Sequence, residues 1–204
     1  GVFPSIYWDF GLVTGTDAYT TNLVANTTVS LLSRGNNNGT TTLITTTSAS
    51  SGYAGASGTN NAGAAARIAA LNTAANGSAY FEVTVTANPG FTVTIAGVQF
   101  GSRGTSTGPQ AYTVRSSVDA YGGDLATGAL ANNSTWALNT STAFSATSLP
   151  AGAVTLRIYG HNGTGSNNAN TANWRIDDLN IYGTTDAVVE QSLVGFDSPV
   201  SAGL

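Results

Sequence analysis

Between residues 79 and 100, AYFEVTVTANPGFTVTIAGVQF, apolar and polar side chains take turns. Phe81, Val83 and Val85 alternate with Glu82, Thr84 and Thr86. Past Asn88-Pro89-Gly90, Phe91, Val93 and Ile95 alternate with Thr92 and Thr94. A period of two puts successive side chains on opposite faces of a strand, so each run has one greasy face and one rich in hydroxyls. Two such runs about a turn predict a β-hairpin. One hairpin cannot bury its apolar face by itself, so the rest of the chain has to supply a second sheet.

Strand-like runs recur on both sides of it. Residues 1–11, GVFPSIYWDFG, place Val2, Pro4, Ile6, Trp8 and Phe10 on one parity and Phe3, Ser5, Tyr7 and Asp9 on the other, as in a half-buried strand. Residues 28–33 and 40–47 are β-branched runs about Arg34-Gly35-Asn36-Asn37-Asn38-Gly39, whose Gly and Asn tolerate the positive φ of a loop. Residues 48–63 read as irregular. Residues 64–75, AAARIAALNTAA, set the helix preference of alanine against the shortness of the run. So short a helix is marginal in water, and Ile68 with Leu71 makes little apolar stripe, so a strand is expected. Residues 111–118 alternate again, 119–135 read as a polar loop, and 143–149 with 154–159 flank a hairpin-like turn at Pro150-Ala151-Gly152. Residues 174–183, WRIDDLNIYG, close the body. Trp174 and Ile176 share one parity and Leu179 and Ile181 the other, which predicts a bulge near Asp177-Asp178. Roughly ten short strands with turn chemistry between them predict an all-β fold, a two-sheet antiparallel β-sandwich of jelly-roll type. It spans residues 1–183, with a C-terminal extension over 184–204.

A series of short motifs adds to this. Tyr7-Trp8-Asp9-Phe10-Gly11, Ala79-Tyr80-Phe81-Glu82-Val83, Val114-Arg115-Ser116-Ser117-Val118-Asp119, Val154-Thr155-Leu156-Arg157-Ile158-Tyr159-Gly160 and Ile176-Asp177-Asp178-Leu179 follow in that order. Over residues 6–183 the chain resembles a jelly-roll module of bacterial exported proteins. Such modules look like carbohydrate-binding domains and occur beside secreted nucleases and in surface proteins with sorting tails. The resemblance implies the sandwich and a place outside the cell, and it carries no catalytic set. The chain departs from it at the end, where no sorting helix or basic tail follows.

Composition bears on the setting. In 204 residues there are six arginines, ten acidic residues and no lysine. Cytosolic domains carry about a quarter charged residues, so an extracellular or cell-surface location is expected. A net charge of -4 and the scatter of the arginines argue against a nucleic-acid partner, which needs clustered basic residues. Absence of cysteine excludes disulfides, thiolate catalysis and Cys-ligated zinc. No run approaches the roughly 18 apolar residues of a membrane span. Gly1 opens no signal peptide; the expectation is a mature chain without its leader, and a piece of a longer protein reads the same.

Chemistry is sparse. Gly104-Thr105-Ser106-Thr107-Gly108 matches GxSxG, and Asp119 or Asp124 followed by His161 completes the hydrolase order of Ser, acid and His. A nucleophile elbow needs a helix directly after the serine, and here Gly108-Pro109 and a strand follow, so catalysis is not expected. Asp177 and Asp178, adjacent on a strand, point to opposite faces unless a bulge intervenes. Arg115, Arg157 and Arg175 lie within strands and are expected to pair with Glu82 or the aspartates. No cofactor is expected beyond calcium, for which Asp9, Asp119, Asp177 and Asp178 are the carboxylates on offer. Sugar binding asks for an exposed aromatic face with amides, and Trp136, Tyr121, His161 and Asn162 are the candidates. His161 otherwise reads as a solvated loop residue, and Trp8 and Trp174 as core.

In the extension, Val188, Val189, Leu193, Val194, Phe196 and Val200 make a segment apolar enough to dock as a strand. It can lie on its own sheet, or on a neighbouring copy by strand addition, which builds head-to-tail filaments. The first functional expectation is therefore a non-enzymatic extracellular structural subunit that self-associates into a surface filament or matrix. The alternative is a carbohydrate-binding module of a secreted bacterial protein.

Overall fold

A computed structural model describes residues 3–11, 15–141, 143–144, 149–165 and 168–189. Among these are thirteen strands: β1 Ser5–Trp8, β2 Thr21–Asn22, β3 Thr27–Val29, β4 Ser33–Gly35, β5 Ile44–Thr45, β6 Asn61–Ala64, β7 Tyr80–Ala87, β8 Phe91–Gly104, β9 Ala111–Ser116, β10 Ala126–Ala129, β11 Ala137–Ser141, β12 Ala153–His161 and β13 Trp174–Ala187. They form two antiparallel sheets, as the alternation predicts. The first runs β11-β8-β13-β1-β2, with β6 also on β13 and β5 on β6; the second runs β10-β9-β12-β7-β3, with β4 also on β7.

Inward-pointing residues of both sheets make one core. Ile6 and Trp8, Phe81, Val83 and Val85, Val93 and Ile95, Leu156 and Ile158, and Trp174 and Ile176 are all buried. Rings meet from opposite sheets: Phe81 packs 4.8 Å from Trp174 and Phe100 meets Tyr112 edge-on at 5.1 Å, centroid to centroid. Trp8 and Trp174 are core residues, as expected.

The central stretch is two strands but not a hairpin. β7 pairs with β12, β3 and β4, whereas β8 pairs with β11 and β13, so the turn at Asn88-Pro89-Gly90 carries the chain from one sheet to the other. The turn is held by other segments: Ala87 N–H donates to Gly152 O and Asn88 N–H to Asn26 O, both at 2.8 Å. The two greasy faces thereby oppose each other and bury together, where a hairpin leaves both on one side of a single sheet. Pro150-Ala151-Gly152 likewise leads from the first sheet (β11) to the second (β12), and Ala151 bridges Val93.

Other boundaries shift. The expected strand over 64–75 lies earlier, at β6, where Ala62 and Ala64 are small enough to pack under the second sheet; beyond it only Ala69 bridges Gly163. The loop read over 119–135 contains β10, and Ser117–Asp119 forms a 3-10 turn capped by Ser116. β11 precedes the strand expected at 143–149, most of which falls outside the described residues. β13 runs to Ala187, four residue pairs past Gly183, because β8 is long enough to hold it. In the extension, Val188 and Val189 are exposed; Leu193, Val194, Phe196 and Val200 lie outside the described residues.

Candidate functional site

The outer face of the first sheet carries a row of polar side chains in register. Thr21 pairs with Tyr7, Tyr7 with Asn180, Asn180 with Gln99 and Gln99 with Thr140, so the row crosses β2, β1, β13, β8 and β11. These are the alternate positions to the buried Ile6, Leu179, Ile181, Val98 and Phe100, and strand periodicity sends them outward. Within it, Gln99 Nε2 donates to Thr140 Oγ1 at 3.2 Å and Ser5 Oγ to Asn180 Oδ1 at 3.4 Å.

A bulge in β13 shapes one side of this face. The register slips between Asp177 and Asn180, and Asp178 takes φ +49°. The expected bulge is present, and it turns both carboxylates to the outer face instead of opposite ones. There they hold the 48–58 loop. Asp178 Oδ1 accepts from Tyr7 OH at 2.7 Å, and its Oδ2 accepts from Tyr53 OH at 2.5 Å and Ser57 N–H at 3.1 Å. Asp177 Oδ2 accepts from Ser50 Oγ at 2.6 Å and Ser57 Oγ at 3.3 Å. Tyr53 reaches across β8 because position 101 is glycine: a Cβ there would sit 2.1 Å from its hydroxyl oxygen.

Electrostatics follow from this packing. Burial, and the Asp178 charge beside it, push the Asp177 carboxyl up to about 7, against the hydrogen bond from Ser50 that favours its anion. Burial, then the bond to Asp178, raises the Tyr7 and Tyr53 phenols above their ordinary value, so both remain donors.

Between the loop and the row lies a hollow of about 240 Å³, lined by Tyr7, Tyr53, Ala54, Gly55, Gln99, Leu138, Asp178 and Asn180. It offers two amides, two phenols and a carboxylate, with Leu138 as an apolar wall. With the phenols spent on Asp178, the amides beside the apolar wall are the groups suited to hydrogen-bond a neutral molecule bearing many hydroxyls on a carbon frame, since each amide both donates and accepts.

The residues singled out in the sequence fall elsewhere, Asp178 apart. Trp136 is buried: its Nε1 donates to Ser48 O at 2.8 Å, and its ring lies 6.4 Å from that of Tyr53, so it props the loop instead of offering an open face. Tyr121 lies in the turn between the Ser117–Asp119 3-10 turn and β10, beside the second sheet, where the Arg157 guanidinium sits 3.8 Å from its ring centre and 4.3 Å from that of Tyr80. His161 is buried at the end of β12, not solvated, with Nε2 on Thr113 Oγ1 at 2.8 Å and Nδ1 on Asn162 Oδ1 at 3.1 Å. No triad forms with Ser106, since both His161 nitrogens are engaged there, Asp124 pairs with Arg115 and Asp119 accepts from Gly122 N–H. Asp9 accepts from Thr20 Oγ1 and Gly11 N–H. Among the described residues no three His, Cys, Asp or Glu gather to hold a metal, so the four aspartates are not one calcium site.

Arg115 and Arg157 pair with Asp124 and Glu82 as expected. Among the described residues Arg175 meets no carboxylate; its Nη1 donates to Thr45 Oγ1 and Asn61 Oδ1. Tyr7 and Asn180 were visible in the sequence as the polar parity of strands already assigned, whereas Gln99 shares the parity of inward Val93 and Ile95 and faces outward only because the register of β8 on β13 shifts between Ile95 and Gly97. Tyr53 carried no signal, because its loop is defined only by what it touches.

No family model matches the chain, and no curated protein does. Solved structures that it resembles include the C-terminal CBM6 of a marine laminarinase from Zobellia galactanivorans, at 11% identity and TM-score 0.34, over 61% of this chain and 81% of that one. The K3 cleaved adhesin domain of Lys-gingipain from Porphyromonas gingivalis aligns at 18% and 0.32, over 65% and 79%. An arabinose-bound GH51 α-L-arabinofuranosidase aligns at 11% and 0.44, over 90% of this chain and 27% of that one. Likenesses this distant give no function. Among the described residues no helix is long and apolar enough to cross a membrane.

Proposed function

We propose that this chain is a non-catalytic carbohydrate-binding module of an exported protein, and that it holds a glycan on the outer face of its first sheet. The observation that carries the reading is the in-register row Tyr7, Asn180, Gln99 beside the tyrosine-walled hollow. Planar amides fixed on a sheet are pre-organised for sugar hydroxyls, and the ligand does not have to order them. Gln99→Ala, made singly and with Asn180→Ala, tests it by affinity electrophoresis in gels cast with a panel of plant, algal and bacterial polysaccharides. At least one polysaccharide retards the wild type, and each substitution weakens that retention about fivefold to tenfold, the worth of one or two hydrogen bonds. Melting temperature stays unchanged, because both side chains point away from the core. Retention that ignores both substitutions, or none on any glycan, overturns it.

A second reading, self-association through the terminal segment, rests on one observation: Val188 and Val189 leave the end of β13 exposed. Sedimentation of the full chain beside a form ending at Ala187 tests it. Oligomers confined to the full chain support strand addition, and a monomeric full chain at high concentration removes it.

A further inference from the structure

Across the Tyr53 loop from the polar hollow lies a second one of about 370 Å³, lined among others by Ser48, Ser51, Arg103, Ser134, Thr135 and Trp136. Gln99 and Arg103 have the same outward parity on β8, about 13 Å apart at the rise of a strand, with Tyr53 lying over Gly101 between them. The two hollows therefore lie in line along one strand.

Among the described residues no carboxylate compensates the charge in the second hollow. Arg103 gives its Nε–H to Ser134 O at 3.1 Å and, among the described residues, pairs with no carboxylate. Its register partner on β13 is Arg175, a second cation held by Thr45 and Asn61 and, among the described residues, by no acid. Like charges placed opposite on one sheet face are destabilising. Burial, and then the nearby Arg103 charge, lower the pKa of Arg175, as an unneutralised pair requires. Acids outnumber arginines ten to six in this chain, yet the Arg103 fork is left facing a hollow ringed by hydroxyls.

We infer that Arg103 is the anion-binding end of the glycan site, so that the polysaccharide recognised is acidic and presents a sulfate ester or a uronate carboxylate to the guanidinium. This rests on the glycan reading above. A planar guanidinium binds two oxygens of such a group at once, and the serine and threonine hydroxyls complete the donors. The neutral part of the chain then crosses Tyr53 into the hollow at Gln99 and Asn180.

The test is affinity electrophoresis of wild type, Arg103→Gln and Gln99→Ala on matched gels: agarose beside carrageenan, and polymannuronate beside neutral mannan. A parallel titration with inorganic sulfate follows the Arg103 side-chain resonances by NMR. The expected result is retention at least tenfold stronger on the sulfated or the uronate polymer, according to which anion is the natural one. That retention weakens about tenfold in Arg103→Gln and with added salt. Equal retention on charged and neutral partners, or an Arg103→Gln variant that keeps the preference, overturns the inference while leaving the glycan reading intact. Sulfate shifts at Arg103 without retention on any polymer support the anion site and overturn the glycan reading instead. Neither shifts nor retention overturns both.

Discussion

At the scale of single residues the adjacent pair Asp177 and Asp178 divides two tasks. Asp178 accepts from both phenols at the rim of the hollow, and Asp177, fully buried, fastens the loop from beneath through Ser50 and Ser57. Asp177 is easier to protonate in the folded protein than in the unfolded chain, since its carboxyl is raised to about 7. The native state thus binds the extra proton between about pH 4 and 7, and stability from this group, full at low pH, is lost as pH rises through that window. Asp177→Asn removes the titration. Its melting temperature should match the wild type near pH 4 and gain on it steadily to pH 7, then run parallel. A difference that stays constant from pH 4 to 8 would show that the carboxyl titrates normally.

At the scale of elements, how much the sequence revealed depended on what defines the element. Strands with β-branched residues on one parity, such as β7, β8 and β12, were legible because burial alone fixes them. Their partners were not: Asn88-Pro89-Gly90 looks the same whether it joins neighbours in one sheet or crosses between two. β6 and β11 were missed because Asn61-Ala62-Gly63-Ala64 and Ala137-Leu138-Asn139-Thr140-Ser141 lack that signature and are strands only because β13 and β8 offer them an edge. Of the proposed site, Tyr7 and Asn180 were legible as outward positions; Gln99 was not, because the shift between Ile95 and Gly97 reverses the parity of β8, and neither was the pairing that lines the three up. Since β7 and β8 take their hydrogen bonds from other strands, a peptide of residues 79–100 should show no cross-strand contacts between Val83 or Val85 and Val93 or Ile95 by NMR in water. A well-formed hairpin in that peptide would mean that the crossing is imposed on it by the rest of the molecule.

At the scale of the whole molecule, the sandwich presents two unlike outer faces. The first sheet shows the polar row and the two hollows. The second carries Arg157 between Tyr80 and Tyr121, tied to Glu82 at 2.5 Å, a cation already satisfied and so of little use to a ligand. The proposed site thus sits on the sheet whose outer face keeps the loop, the bulge and the two hollows. The order in which strands join also matters. From β7 onward only the β9–β10 link stays within one sheet, and the longest partner of β8, β13, follows it in the chain only after β9 to β12. Refolding is therefore expected to be slow, on the millisecond to second scale of distant β pairing. A chain emerging end first holds its stickiest segments uncovered until β13 arrives, so its yield when produced in quantity is expected to hinge more on what shelters that waiting state than on how firmly the finished fold is held.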